Sequence, residues 1–402
     1  MSSQPPIGSW GPGAGPDISS FFRTEAAADS AMTYFYGRLF ASNPEIRAMF
    51  PATMTVQRRR LYAALYRIAT GMRVAGNDSD DNDTAETDDA DAGLDGYLEA
   101  LGRAHRKFGV RPEHHTAFRE ALEATFRRYP PDAARWTELE RAGALHRAAE
   151  IMTNAAEKAS GPAWWTAEVV ANEPRTPHVT VLTLRPDQPY PYLPGQHVPV
   201  QTPRWPRVWR CYSIANAPSG EDGDDGTTLT LHVRVVPGGL VSTALLHAGP
   251  GDTVLLGPAD GTMTADTASP RDALCLAGGT GLAPVKAIAE ALLARSRPGG
   301  GERQVTLYFG ARTEADLYDL PALRAMERDH PSLEVHVATS EEHTPRTLHG
   351  TIPNLAPGAG WADRDIYISG PDAMITRTVR RLQDRGAPPE RLRYDMRQEV
   401  TA

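Results

Sequence analysis

Ala273-Leu274-Cys275-Leu276-Ala277-Gly278-Gly279-Thr280-Gly281-Leu282-Ala283-Pro284 decides the fold of the second half of this chain. Five apolar residues in a row read as a strand buried on both faces. The glycines after it permit a tight turn and close backbone approach, and Pro284 opens a helix running to about Arg295. That order is the context in which a dinucleotide phosphate meets a helix N-terminus, although the spacing departs from G-x-G-x-x-G. Runs at residues 305–309, 333–337 and 365–368 then alternate with helical patterns, which predicts a doubly wound α/β domain with a parallel sheet. Gly279, Thr280, Gly281 and Pro284 are the expected dinucleotide contacts. Arg312, after the next strand, is expected at a phosphate or ribose, and Gly370 and Pro371 of Ser369-Gly370-Pro371 complete the set. After the third strand come Ser340, Glu341 and Glu342 with no cation beside them. Two carboxylates there repel a 2′-phosphate, so NADH is expected rather than NADPH.

Upstream the texture differs. Short β-branched runs at residues 168–170, 179–184, 197–200 and 228–233, separated by turn residues, predict an antiparallel β-barrel. At the end of one strand stands Arg210-Cys211-Tyr212-Ser213, and beyond it Gly238-Gly239-Leu240-Val241-Ser242. An arginine can bridge pyrophosphate oxygens, a tyrosine can stack on an isoalloxazine ring, and a serine can bond its edge. The glycine pair lets amides at Gly239, Val241 and Ser242 approach an anion. Arg210, Tyr212 and Ser213 are thus candidate FAD contacts. The ordered set points to electron transfer through a flavin and a nicotinamide.

The bulk numbers frame this reading. A chain of 402 residues, 41% hydrophobic and 23% charged, predicts two or three globular domains. We expect a disordered tail over residues 1–17, helical residues 18–160, a barrel over 161–267 and the nucleotide domain over 268–402. The eight acidic residues from Asp78 to Asp91 account for the whole net charge of −8, so residues 76–93 read as a disordered acidic insertion. Nothing basic is clustered, so no nucleic-acid partner is expected, and no apolar run is long enough for a membrane. A cytoplasmic monomer or weak dimer acting on small molecules is the expectation. Two cysteines exclude a cysteine-ligated iron–sulfur cluster, which needs about four thiolates.

Residues 163–402 resemble the ferredoxin-reductase family, an FAD-binding barrel followed by a nicotinamide domain. Two positions depart from its pattern: Ser369 stands where many members have cysteine, and His197, after Pro194-Gly195-Gln196, where the family often has tyrosine. The resemblance brings His197 into the flavin set.

A flavin of this kind needs a one-electron acceptor, and haem in a helical pocket is one. Apolar residues recur at helical spacing, among them Phe35, Leu39, Leu61, Leu65, Leu98, Leu101, Phe118 and Leu122. Residues 20–158 resemble the all-α globin domain of bacterial flavohaemoglobins. The resemblance implies haem b on His105 as iron ligand, with Phe108 beside it, and a distal side built from Tyr36, Gln57 and Leu61 with Phe50 clamping the porphyrin. His115 stands where those proteins have a proximal tyrosine, Glu157 is the nearest candidate for its glutamate partner, and Arg397 replaces a C-terminal aromatic. The activity this implies is NADH-dependent nitric oxide dioxygenation, with O₂ and nitric oxide as the small-molecule partners. Alternatives are a haem flavoreductase serving a peroxide or metabolite, and a gas-sensing globin gating a flavin reductase.

Overall fold

A computed structural model describes residues 24–51, 53–71, 84–130, 143–218, 228–295 and 301–396. The chain divides into two compact units, Met1–Ala163 and Trp164–Ala402. The tail over 1–17, part of the acidic insertion and Arg397 lie outside the described residues.

The first unit is helical, with α1 Glu25–Ser42, α2 Thr55–Gly71, α3 Thr84–His105, α4 Pro112–Arg128 and α5 Ala144–Lys158. Local chemistry sets several ends. Thr24 caps α1 by accepting from the Ala27 amide at 3.1 Å, and Pro112 begins α4, where a missing amide proton costs nothing. The structure corrects one expectation. Residues 84–93 of the acidic stretch form the start of α3 instead of a disordered loop.

Phe35, Leu39, Leu65, Leu98 and Leu122 are buried in one core. Where α3 passes α5, Gly102 permits contact no other residue could. A Cβ there would stand 2.7 Å from the Met152 Cα and on top of its carbonyl oxygen.

The second unit holds two sheets. The first is antiparallel, in the order β4-β3-β6-β1-β2-β5, with β1 Trp165–Thr176, β2 Val179–Pro186, β3 His197–Gln201, β4 Arg210–Ser213, β5 Leu229–Arg234 and β6 Thr253–Leu256. A bridge from Ile214 to Leu231 joins its two ends, closing the expected barrel. α6 Leu240–Leu246 packs against it. The second sheet is parallel, in the order β10-β9-β8-β7-β11-β12. Its strands are β7 Asp272–Gly278, β8 Val305–Ala311, β9 Leu333–Thr339, β10 Leu348–His349, β11 Arg364–Ser369 and β12 Leu392–Arg393. Its helices are α7 Leu282–Leu293, α8 Leu320–Asp329, α9 Ile352–Leu355 and α10 Asp372–Gln383. Residues 273–278 are all buried, because β7 lies between β8 and β11 with helices on both faces.

His232, on β5, is buried, with its Nδ1 2.7 Å from the Tyr318 hydroxyl. Burial, aided by Lys286 and Arg175, outweighs Asp319 and drives its pKa down to about 4. The folded chain therefore keeps this imidazole neutral where the unfolded chain protonates it.

Gly102→Ala should destabilise the helical unit by about 1–3 kcal/mol through backbone displacement, read as a lower melting temperature of that unit. For His232, stability is complete above the unfolded value of 6.5 and is lost as pH falls towards about 4. The loss is about 3 kcal/mol. The unfolding midpoint of the reductase unit should drop across that window, and His232→Gln should flatten the drop.

Candidate functional site

The helical unit gathers its predicted residues into two groups. Tyr36, on α1, lies in an aromatic box, with ring centroids 5.5 Å from Phe50 and 5.7 Å from Phe40. The turn of Pro44–Met49 delivers Phe50 here, and Arg47 Nη1 donates to the Phe50 carbonyl at 3.1 Å. Tyr36 is 7% exposed, and burial raises the pKa of its phenol against the pull of Arg58 and Arg60, so it stays protonated. Its hydroxyl donates to the main-chain carbonyl of Gln57 at 3.3 Å, near the start of α2. The expected partnership with Gln57 thus runs through backbone, while Leu61, one turn along, packs on the same core.

The second group surrounds His105, the last residue of α3. Its Nδ1 lies 2.6 Å from the Leu101 carbonyl oxygen. A carbonyl only accepts, so Nδ1 carries the proton and Nε2 keeps its lone pair. Burial lowers the pKa of the ring, which holds it neutral. Phe108 stands edge-on at 6.0 Å. A cavity of about 250 Å³ beside His105 is lined by Gly102, His115, Met152, Thr153 and Glu157, among others. His115 Nδ1 lies 2.7 Å from the Thr153 hydroxyl. Thr153 is thus the partner of His115, and Glu157 sits one turn beyond it. No pattern in the sequence singled out Thr153. A neutral imidazole whose Nε2 keeps its lone pair, at the end of α3, fits a haem iron.

In the barrel, β3 and β4 pair so that His197 faces Ser213 and Val198 faces Tyr212. Burial works against protonation of His197, but its bond to Cys211 and the carboxylates of Asp260 and Asp395 prevail and raise its pKa. Burial also raises that of Tyr212, keeping the phenol neutral. Arg210 is exposed and donates to the Trp209 carbonyl at 2.7 Å. A cavity of about 620 Å³ lies against Gly238 and Gly239 and is also lined by Thr202, Arg204 and Trp205. Gly239 is required there, since a Cβ would meet the Ser242 Oγ at 2.6 Å. Ser242 spends its hydroxyl on the turn, accepting from the Val236 amide at 3.3 Å, and Val241 is buried in the barrel core. Their contribution to an anion is therefore their amides. Arg204 supplies a cation at this cavity that the sequence reading missed, because it stands outside the quoted motifs.

The dinucleotide residues meet at the C-terminal edge of the parallel sheet, where order reverses about β7. Gly279 has φ +53°, and a Cβ on Gly281 would meet the Gly370 amide nitrogen at 2.5 Å. The loop therefore lies against Ser369-Gly370, and Pro371 caps α10. Pro284 is buried in the first turn of α7. Arg312 is exposed and pairs with Asp316 at 3.6 Å. The Glu342 carboxylate accepts from the Glu314 amide at 2.7 Å. Arg234, at the end of β5, brings a guanidinium Nη1 to 3.9 Å from the position of a Gly279 Cβ. Only folding of the barrel onto this loop could reveal it. Glycine cradles at a helix start fit a nucleotide pyrophosphate. Gly281→Ala should raise the KM for the nicotinamide nucleotide about tenfold or more while leaving bound FAD unchanged, measured by steady-state kinetics and flavin absorbance.

Comparison with known proteins agrees with this division. The Globin family profile matches residues 33–144, the oxidoreductase FAD-binding domain 168–264 and the oxidoreductase NAD-binding domain 275–380. These matches support haem, FAD and a nicotinamide nucleotide as cofactors. The chain is 31% identical over 253 residues to the ferredoxin–NAD(P)+ reductase component of a naphthalene 1,2-dioxygenase system from Pseudomonas putida, spanning 61% of this chain and 71% of that one. It is 32% identical to the reductase subunit of an aromatic O-demethylase from Amycolatopsis, covering 51% of this chain and 60% of that one. Among solved structures, a flavohaemoglobin from Malassezia yamatoensis with bound FAD and haem shares the fold over 92% of this chain and 94% of its own. There the TM-score is 0.69 at 18% identity. The FAD/NAD-binding domain of a nitric oxide dioxygenase from Vibrio cholerae aligns over 57% of this chain and 97% of its own, with TM-score 0.50 at 20% identity. Among the described residues, no helix is long and apolar enough to cross a membrane. The chain is a globin fused to a flavin- and nicotinamide-binding module and belongs, through that module, to the ferredoxin–NAD(P)+ reductase family.

Proposed function

We propose that this NAD(P)H-dependent oxidoreductase is a nitric oxide dioxygenase that draws on NADH and turns nitric oxide and O₂ into nitrate. When bound, the haem supplies the iron at which the two gases combine, and the flavin converts two-electron input into single electrons. His105, neutral and oriented by Leu101, offers Nε2 as the iron ligand. Tyr36 keeps its hydroxyl proton, available for an oxygen atom on which negative charge grows. Phe40 and Phe50 exclude water around that hydroxyl. Glu341 and Glu342 disfavour a 2′-phosphate, which supports NADH.

The observation that carries this reading is the Tyr36 hydroxyl, buried and held protonated, with a long 3.3 Å bond to the Gln57 carbonyl. A phenol so placed can turn to a stronger acceptor at little cost.

A second reading is favoured by the His115–Thr153 pair at 2.7 Å. It stands where a tyrosine–glutamate network would make the ligand more electron-donating. With that push reduced, the module serves another acceptor, a peroxide or a metabolite, or the globin gates the reductase by binding gas. Tyr36→Phe decides between them. On the first reading, oxygen dissociates about tenfold faster or more, and nitric oxide consumption with nitrate formation falls in step. Unchanged values for both would support the second.

A further inference from the structure

A cluster of buried charge lies between the barrel and the nucleotide domain, apart from both cofactor cradles. Asp319, just before α8, has a side chain 2% exposed. Its Oδ2 is 3.2 Å from Lys286 Nζ on α7 and 3.7 Å from His232 Nε2 on β5. Its Oδ1 is 3.7 Å from Arg175 Nε on β1. His232 is held from its other side by the Tyr318 hydroxyl at 2.7 Å, leaving Nε2 without a hydrogen-bond partner among the described residues. One turn along α7 from Lys286, the Glu290 carboxylate accepts from the Ala217 amide at 2.9 Å. Ala217 lies four residues beyond the Arg210–Ser213 strand. The same helix thus meets the barrel directly at Glu290 and through Asp319 at Arg175 and His232, and its N-terminus carries the 278–281 glycine loop.

A carboxylate in a dry interior is tolerated only while its cationic partners stay in reach. Lys286 and Asp319 both belong to the nucleotide domain, so sliding that domain across the barrel would carry them together and take Asp319 away from Arg175 on β1 and His232 on β5. The cluster therefore admits one placement of the glycine loop relative to the flavin strand. Transfer between two bound rings demands such a placement, since reacting atoms must stand about 3–3.5 Å apart and a shift of about 1 Å costs about a hundredfold in rate.

We propose that Asp319 is a positioning residue for hydride transfer, holding the nicotinamide cradle in register with the flavin strand through Arg175 and His232 of the barrel. In that step a C–H bond of the dihydronicotinamide breaks and an N–H bond of the flavin forms, both electrons passing to the flavin. The role rests on NADH reducing FAD within this module and is independent of the acceptor at the globin.

The test uses the full chain loaded with FAD. Asp319→Asn and Arg175→Met are each mixed anaerobically with NADH, and flavin bleaching is followed in single turnover. At saturating NADH, flavin reduction should slow about tenfold or more, while half-saturating NADH and FAD content change by less than about twofold. Hydrogen exchange, measured without nicotinamide, supplies a readout apart from activity. Amides of residues 215–217 and 229–233 should exchange about tenfold faster in both variants. A reduction rate within about twofold of the parent would overturn the proposal. So would a loss lying wholly in NADH affinity or in FAD content, or unchanged exchange. If Asp319→Asn does not fold, Arg175→Met alone carries the comparison, because it leaves Lys286 beside the carboxylate.

Discussion

The close approach of Gly281 to Ser369 and Gly370 governs the geometry of the reductase unit. Two backbones touch where any Cβ would stand 2.5 Å from an amide nitrogen, so the end of β11 and the start of α7 share one small volume. That contact places a helix N-terminus and a free loop at the C-terminal edge of the sheet, where a pyrophosphate gains both amides and dipole. The buried strand β7 makes the contact possible by holding the loop's first glycine rigid between neighbours.

The barrel uses the same device with less support. Gly239 gives room for the Ser242 hydroxyl to brace its turn, and α6 is only seven residues long. Arg204 lines the cavity on this side, where so short a helix has little dipole to offer. The nucleotide domain instead joins the barrel through buried ionic groups. Such groups add little net stability but penalise every alternative alignment, which suits a contact that must hold two rings in register.

In the helical unit the proposed chemistry rests on a tautomer. The Leu101 carbonyl takes the proton of His105 Nδ1, and burial keeps the ring neutral. Tyr36 is treated in the opposite sense by the same physics: burial keeps its proton on. One apolar interior thus yields a donor of electrons and a donor of protons, because desolvation disfavours whichever form carries charge.

Sequence alone determined the order of domains, because a run of apolar residues, a glycine loop and helical periodicity are local signals that need no partner. Residue type and spacing also singled out the 278–284 loop, while His105 and Tyr36 stood out only through the resemblance to flavohaemoglobins. What the sequence did not contain was pairing across the fold. Thr153 opposite His115, Arg234 beside Gly279 and Asp319 under Lys286 join residues about 30 or more positions apart, and no local pattern marks them. The helix over residues 84–93 was also hidden, since composition counts charge and carries no backbone pattern. Tertiary structure decided these points because burial, which sets the strength of every one of these contacts, exists only once distant segments have closed over them.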